Sequence, residues 1–162
     1  MASMSKIIVD LQAEMTARII DLVSSAQAAV RFAPRTVQER NAKQDMSQAI
    51  PRARLFEVGE PNGIPEPHFI AYTARSALYN FPIKIWYPTN TISWRRAPWE
   101  DTDIIGQDFR EHSAIVTGCH YRVVNLNASP EFTPVDKDEW TLATINVKAL
   151  LEAGVTAGGG GG

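Results

Sequence analysis

The sequence predicts an α+β domain: a mostly antiparallel sheet with two amphipathic helices packed against it and a C-terminal β-hairpin. Three observations carry that reading. Apolar residues recur at helical spacing near the N-terminus and again after residue 101. Residues 77–88, ALYNFPIKIWYP, crowd aromatic and β-branched side chains in strand-like alternation. Two more alternating runs, 121–126 and 140–147, come near the end of the chain.

Taken in order, Ile7, Ile8, Leu11, Met15, Ile19, Leu22 and Val23 share one helical face, with Lys6, Glu14, Arg18 and Asp21 between them. Ser5 is a candidate cap, and Ser24-Ser25 weakens the helix where the pattern fades. Val30, Phe32 and Val37 are strand positions around Pro34, which favours an edge strand or a bulge. Residues 38–54 are polar and without period; counted from 31 to 54 the segment carries about +4. It is either a solvated loop or an arm ordered by a partner. Residues 53–58 alternate as a short strand, and the Asn62-Gly63 pair among prolines predicts a stiff turn. Residues 68–72 are extended, with a kink near Arg75-Ser76.

Residues 77–88 read as the central strand, with Tyr79, Phe81, Ile83, Ile85 and Tyr87 on one face and Leu78, Pro82, Lys84 and Trp86 on the other. Bulk on both faces suits a strand covered on both sides. Residues 89–100 form a loop holding Trp94 and Trp99 around Arg95-Arg96. Asp101, Thr102 and Asp103 then cap a second helix carrying Ile104, Ile105, Phe109, His112, Ile115 and Val116, closed by Gly118. The acidic connection 127–139 joins the last two strands; residues 131–139 carry about −3. Leu150, Leu151 and Val155 either finish the last strand or form a terminal turn.

At 44% apolar and 21% charged, the composition is that of a globular protein, and residues 5–155 are expected to form one domain. The glycine-rich end, 156–162, reads as a flexible tail or an engineered linker, and MAS ahead of Met4 as a candidate cloning scar. A net charge of −2 argues against a dedicated nucleic-acid binder, and no apolar run reaches the length of a membrane span. MASMSK lacks the layout of a signal peptide, so secretion is not expected.

Chemical motifs are sparse. One cysteine, Cys119, excludes an internal disulfide, and the spacing of His112, Cys119 and His120 does not match paired zinc ligands. No metal or cofactor is expected. There is no P-loop, no G-x-G-x-x-G and no G-x-S-x-G. Trp94 to Trp99, WRRAPW, interleaves aromatic and basic residues as single-strand binders do, but two tryptophans anchoring a loop to the core or to another subunit suits the acidic chain better. Tryptophan and arginine are the residues of interaction hot spots. The candidate interface residues are therefore Trp86, Trp94, Arg95, Arg96 and Trp99, with Arg40 and Lys43 in the basic segment and Asp136 and Asp138 in the acidic one. The two oppositely charged segments pair either within one monomer or between neighbours, head to tail. Ile83→Asp is expected to unfold the domain and Trp86→Ala to weaken assembly.

The helix MTARIIDLVSS, the strand LYNFPIKIWYP, the helix DTDIIGQDFREHSAIV and the strand EWTLATINV, in that order, resemble the tail terminator proteins of long-tailed bacteriophages. The resemblance covers most of residues 7–150 and is one of element order and character, without a signature motif. It implies a non-enzymatic virion protein at the head–tail junction, assembled in the host cytoplasm. A homo-oligomeric, hexameric ring would cap the tail tube, end its polymerisation and meet the head connector, with DNA passing through the lumen without sequence-specific binding and no membrane involved. A neck or head-completion protein is the alternative in the same class. A small enzyme using Cys119 with His112 or His120, and a nucleic-acid module using Arg95-Arg96, are alternatives from other classes.

Overall fold

The computed structural model describes residues 4–24, 30–34, 53–63, 76–88, 96–110, 112–127, 129–135 and 140–153. Strands hold 53% of these residues, and the sheet curls into a half-barrel. The α+β class is therefore corrected to a mainly β architecture, although the antiparallel bias and the two helices remain. Two segments tip the balance: residues 113–116 and 131–135, expected as helix and loop, are both strands.

Helix α1 is Met4–Ile20. Strands β1 (Val23–Ser24), β2 (Val30–Pro34), β3 (Ala53–Val58), β4 (Asn62–Gly63) and β5 (Ser76–Pro88) follow. Helix α2 is Ala97–Phe109, and β6 (Ser113–Val116), β7 (Cys119–Leu126), β8 (Glu131–Val135) and β9 (Trp140–Ala153) complete the described chain. The sheet runs β1-β2-β3-β5-β9-β7-β6, with β4 added to β5 and β8 added to β9.

The central position of β5 is borne out. It pairs with β3 and β4 on one side and along its whole length with β9 on the other, from Ser76 opposite Glu152 to Pro88 opposite Trp140. Phe81, Ile83, Ile85 and Tyr87 lie fully buried with Ile145, Val147 and Ala149 of β9. Over them sit Ile7, Leu11, Met15 and Ile19 of α1 and Ile105 and Phe109 of α2. Both helices thus cover one face of the sheet, and the four-residue spacing in α1 is what keeps its apolar stripe on that face.

Pro82 removes a ladder donor in the middle of this strand. Its carbonyl still accepts from Gly59 N at 2.8 Å. The reciprocal bond is impossible, and the Gly59 carbonyl instead accepts from Gln12 Nε2 of α1 at 2.9 Å. A Cβ on Gly59 would lie 3.0 Å from Pro82 Cγ, so a larger residue here would have to push Pro82 aside.

Strands β2 and β3 are parallel, Phe32 lying opposite Arg54, and a parallel pair is not joined by a tight turn. Residues 35–52, which hold most of the basic segment expected as a loop or a partner-ordered arm, lie outside the described residues. Val37, residues 68–72 and the kink at Arg75 lie outside the described residues.

Four boundaries differ from expectation. Asn62-Gly63 is not a turn: it is extended and paired with Asn80 and Tyr79, continuing the line of β3 after a break at Gly59. Ser5 falls inside α1, not at its cap. Helix α2 starts at Ala97 because Pro98 suits a first turn, where its missing N–H would be unpaired anyway. It stops at Phe109, and Ile115 and Val116 belong to β6; Thr117 and Gly118, at φ 51° and 72°, make a two-residue hairpin turn to β7.

Trp86 takes the opposite face of β5, as its alternation requires, but it is not presented for assembly. It is 7% exposed and packs with Leu55, Ala33, Trp140 and Leu142 in a second, smaller apolar cluster. Its expected place in a subunit contact is corrected to a structural one. Accordingly, Ile83→Ala is expected to cost about 2–5 kcal/mol and Trp86→Ala about 3–5 kcal/mol in urea denaturation. A Trp86→Ala variant as stable as the parent would contradict this placement.

Candidate interaction surface

The first turn of α2 carries residues of opposite fate. Asp101 is fully buried; Trp99 is 46% exposed. At 100° per residue, positions two apart point to nearly opposite sides of a helix, so burying Asp101 turns Trp99 outward. What holds Asp101 is therefore what orients Trp99.

Tyr87, at the end of β5, donates its hydroxyl to Asp101 Oδ2 at 2.8 Å. Arg54 of β3 brings Nε to 3.4 Å from the same oxygen, and its guanidinium lies 5.1 Å from the centre of the Tyr87 ring. At that separation Arg54 Nε meets the carboxylate as a charge and is left without a hydrogen bond among the described residues. Burial pushes the Tyr87 hydroxyl well above its ordinary pKa, and the charge of Asp101 pushes it further. Thr102 Oγ1 adds a bond to the Pro98 carbonyl at 2.6 Å. Asp101 is thus a core residue and not the helix cap the sequence suggested; Arg96 occupies the cap position without a capping side-chain bond.

Outside, Trp99 lies against Phe132 of β8, ring centroids 6.1 Å apart and planes inclined at 54°. Phe132 is itself 42% exposed. Arg96 pairs with Glu100 one turn along. The result is an aromatic pair open to solvent, bridging a helix and an edge strand and bordered by an ion pair.

The far end of α2 is tied to α1. Arg18 Nε meets Asp108 Oδ2 at 2.7 Å, and Glu14 takes both His112 Nε2, at 3.2 Å, and the Tyr121 hydroxyl. Burial and the bond to Glu14 raise the Tyr121 pKa. These contacts use His112 as a strut between α1 and β6.

Compared with known proteins, the sequence matches no family model and no curated protein.

Of the expected interface residues, the structure brings Arg96 and Trp99 to one exposed surface and buries Trp86. Trp94, Arg95, Arg40, Lys43, Asp136 and Asp138 lie outside the described residues. Phe132 was missed because β8 contains Pro134 in an acidic stretch; an edge strand tolerates that proline, and the Phe132–Pro134 alternation was its signal. The Arg54–Asp101–Tyr87 cluster joins residues far apart in sequence and had no local signature. Cys119 is buried, and burial raises its thiol pKa. His120 follows it on the opposite face of β7, bonded to Glu152 at 3.2 Å, so the two do not form a nucleophile–base pair. Among the described residues, no helix is long and apolar enough to cross a membrane.

Asp101→Asn is expected to cost about 3–5 kcal/mol, since Arg54 is then buried without a countercharge. The tyrosine makes a second expectation with a definite sign. Folded Tyr87 keeps its proton above the pH at which the unfolded chain releases it, near 10, so its contribution is present below about pH 10 and lost as pH rises beyond. The wild type should be more stable than Tyr87→Phe at pH 8, with the gap narrowing as pH rises above about 10 in urea titrations.

Proposed function

We propose that this chain is a structural, self-associating virion protein: a tail terminator, or a close relative at the head–tail junction of a long-tailed bacteriophage. The observation that carries the reading is the Trp99–Phe132 pair, two exposed aromatic rings held in place by a buried ion pair. Aromatic residues on a rigid base, with an arginine at the rim, have the chemistry of an interaction hot spot. The position is fixed by Asp101 in the core, so little side-chain or helix ordering is required on contact.

The order of elements supports the resemblance from which the reading began: an N-terminal helix on the sheet, a central two-faced strand, a second helix and a final antiparallel run. In this reading copies associate into a ring around a lumen wide enough for DNA. One end of the ring stops tube growth, the other meets the connector, and no bond is made or broken. Six copies follow from the resemblance.

Sedimentation velocity at micromolar protein, alone and with tail tubes, tests the proposal. A discrete oligomer is expected in one of the two conditions, and Trp99→Ala with Phe132→Ala should weaken it at least tenfold while leaving the thermal midpoint within a few degrees. A chain that stays monomeric in both conditions would overturn the reading.

A further inference from the structure

Helix α2 carries a stripe that its own copy does not use. Asp103, Gly106, Gln107 and Arg110, spaced i, i+3, i+4 and i+7, line one wall of an open groove of about 370 Å³; Val124 and Leu126 of β7 form part of the other wall. Asp103, Gln107 and Arg110 are exposed. Asp103 and Arg110 stand roughly 10 Å apart along the helix, too far to pair with each other. Among the described residues neither has an ion-pair partner. Glycine is disfavoured inside a helix, and nothing in the copy demands it at 106. An added Cβ there would come no closer than 3.4 Å to Leu126 Cδ2.

The groove opens onto a step in the sheet edge. On the side of β9 away from β5, two strands, β7 and then β6, stand beside residues 147–153, and one strand, β8, beside residues 140–144. Val123 N–H donates to the His112 carbonyl at 3.0 Å, so Ser113 and Ile115 turn their own N–H and C=O groups outward. Asn127 N–H donates to the Asn146 carbonyl at 2.9 Å, so the even-numbered residues of β9 form the ladder on this side. Phe132 and Pro134, opposite odd-numbered ones, therefore turn outward from β8. Pro134, which has no N–H, falls on that open edge and costs no ladder bond.

A two-fold axis perpendicular to the sheet fits both features at once. A step of two strands beside one is filled by the same step turned through half a circle, which lays β8 of each copy parallel to β6 of the other. With Phe132 opposite Ala114 of the other copy, the Phe132 N–H meets the Ser113 carbonyl and the Phe132 carbonyl meets the Ile115 N–H, as in any parallel pair. Both side chains then lie on the helix-covered face, as they do within one copy. Phe132 is level with Ala143 of β9, and Ala114, through Tyr121, with Leu151. The axis falls midway, at Val147, whose neighbour Leu126 lies against Gly106. The stripe is centred at the same place. Antiparallel α2 helices thus set Asp103 of each copy against Arg110 of the other, with Gly106 and Gln107 at the axis.

We propose that this chain pairs with a second copy across that axis, through the Asp103–Arg110 stripe of α2 and the open edges of β8 and β6. The inference rests on the proposed self-association and names what the aromatic pair meets: Phe132, with Trp99 leaning on it, lies at the seam beside β6 of the other copy. The contact is isologous, makes every interaction twice and closes at two copies. It describes the protein free of tail tubes, since a ring with two unlike ends is built from heterologous contacts.

Charge exchange on the full-length protein, without tail tubes, tests the pairing. The parent is expected to sediment as a dimer at micromolar concentration. Asp103→Arg and Arg110→Asp should each weaken the dimer about tenfold or more, and the two together should recover most of it, each pair being restored with reversed sign. In the parent, amide exchange at Phe132 and Ile115 should slow as concentration rises, because both N–H groups enter the seam. That measurement decides alone if a charge exchange disturbs the fold. Asp103→Arg dimers of parent strength, a double exchange that recovers nothing while melting like the parent, or Phe132 and Ile115 amides that exchange equally fast in monomer and dimer would each overturn this contact and leave self-association in place. A chain monomeric alone and with tail tubes would overturn both.

Discussion

The antiparallel register between β5 and β9 is the constraint on which the rest of the molecule depends. Side chains alternate along a strand, so one register fixes two surfaces at once. With Ile83 opposite Ile145 and Phe81 opposite Val147, the apolar residues of both strands meet the helices. The same pairing puts Asn80 beside Lys148 and Asn146 beside Pro82 on the other side. A slip of one residue would bury the asparagines and expose the isoleucines. Burial of some 20 apolar side chains on the covered face makes that slip prohibitive, at about 1.5–3 kcal/mol for each large residue turned outward. The outer face, polar at Asn80, Asn146 and Lys148 and apolar at Trp86 and Leu142, is inherited from the core.

Around this ladder, ionic groups are used to set orientation. Burying Arg54 and Asp101 together adds little net stability, because desolvation offsets most of their attraction. Its structural consequence is definite. The carboxylate is held by a tyrosine from β5 and an arginine from β3, so α2 has one rotation about its axis, and that rotation exposes Trp99. Arg18 with Asp108 and Glu14 with His112 and Tyr121 fix the opposite end. Core chemistry and surface presentation are thus coupled through a single rigid helix.

The legible parts of the sequence were those with a long, unbroken period. Four-residue spacing placed Ile7, Leu11, Met15 and Ile19 under one stripe, and two-residue alternation put Phe81, Ile83, Ile85 and Tyr87 of β5 on the covered face and Trp86 on the other. Short elements misled. SAIV after a helix looked like its last turn, whereas the Thr117-Gly118 turn commits it to a hairpin. EFTPV looked like a loop because proline and acid residues conceal an edge strand. Those two errors are why the chain reads as α+β and folds as mainly β. The candidate surface was half legible: Trp99 and Arg96 stand out by type, while exposure depends on Asp101, which looked like a cap. Trp86 shows the converse, since a tryptophan's type alone cannot distinguish an exposed anchor from one covered by Leu55 and Trp140.

The central claim is that the exposed Trp99–Phe132 pair, oriented by the buried Arg54–Asp101–Tyr87 cluster, is where copies meet. Hydroxyl-radical footprinting of the wild-type protein across a dilution series tests it most directly, because exposed aromatic rings label fast and covered ones slowly. The account predicts that Trp99 and Phe132 become protected with rising concentration, while buried Trp86 labels slowly throughout. Labelling of Trp99 and Phe132 that stays fast and independent of concentration, up to the highest attainable and in the presence of tail tubes, would contradict it.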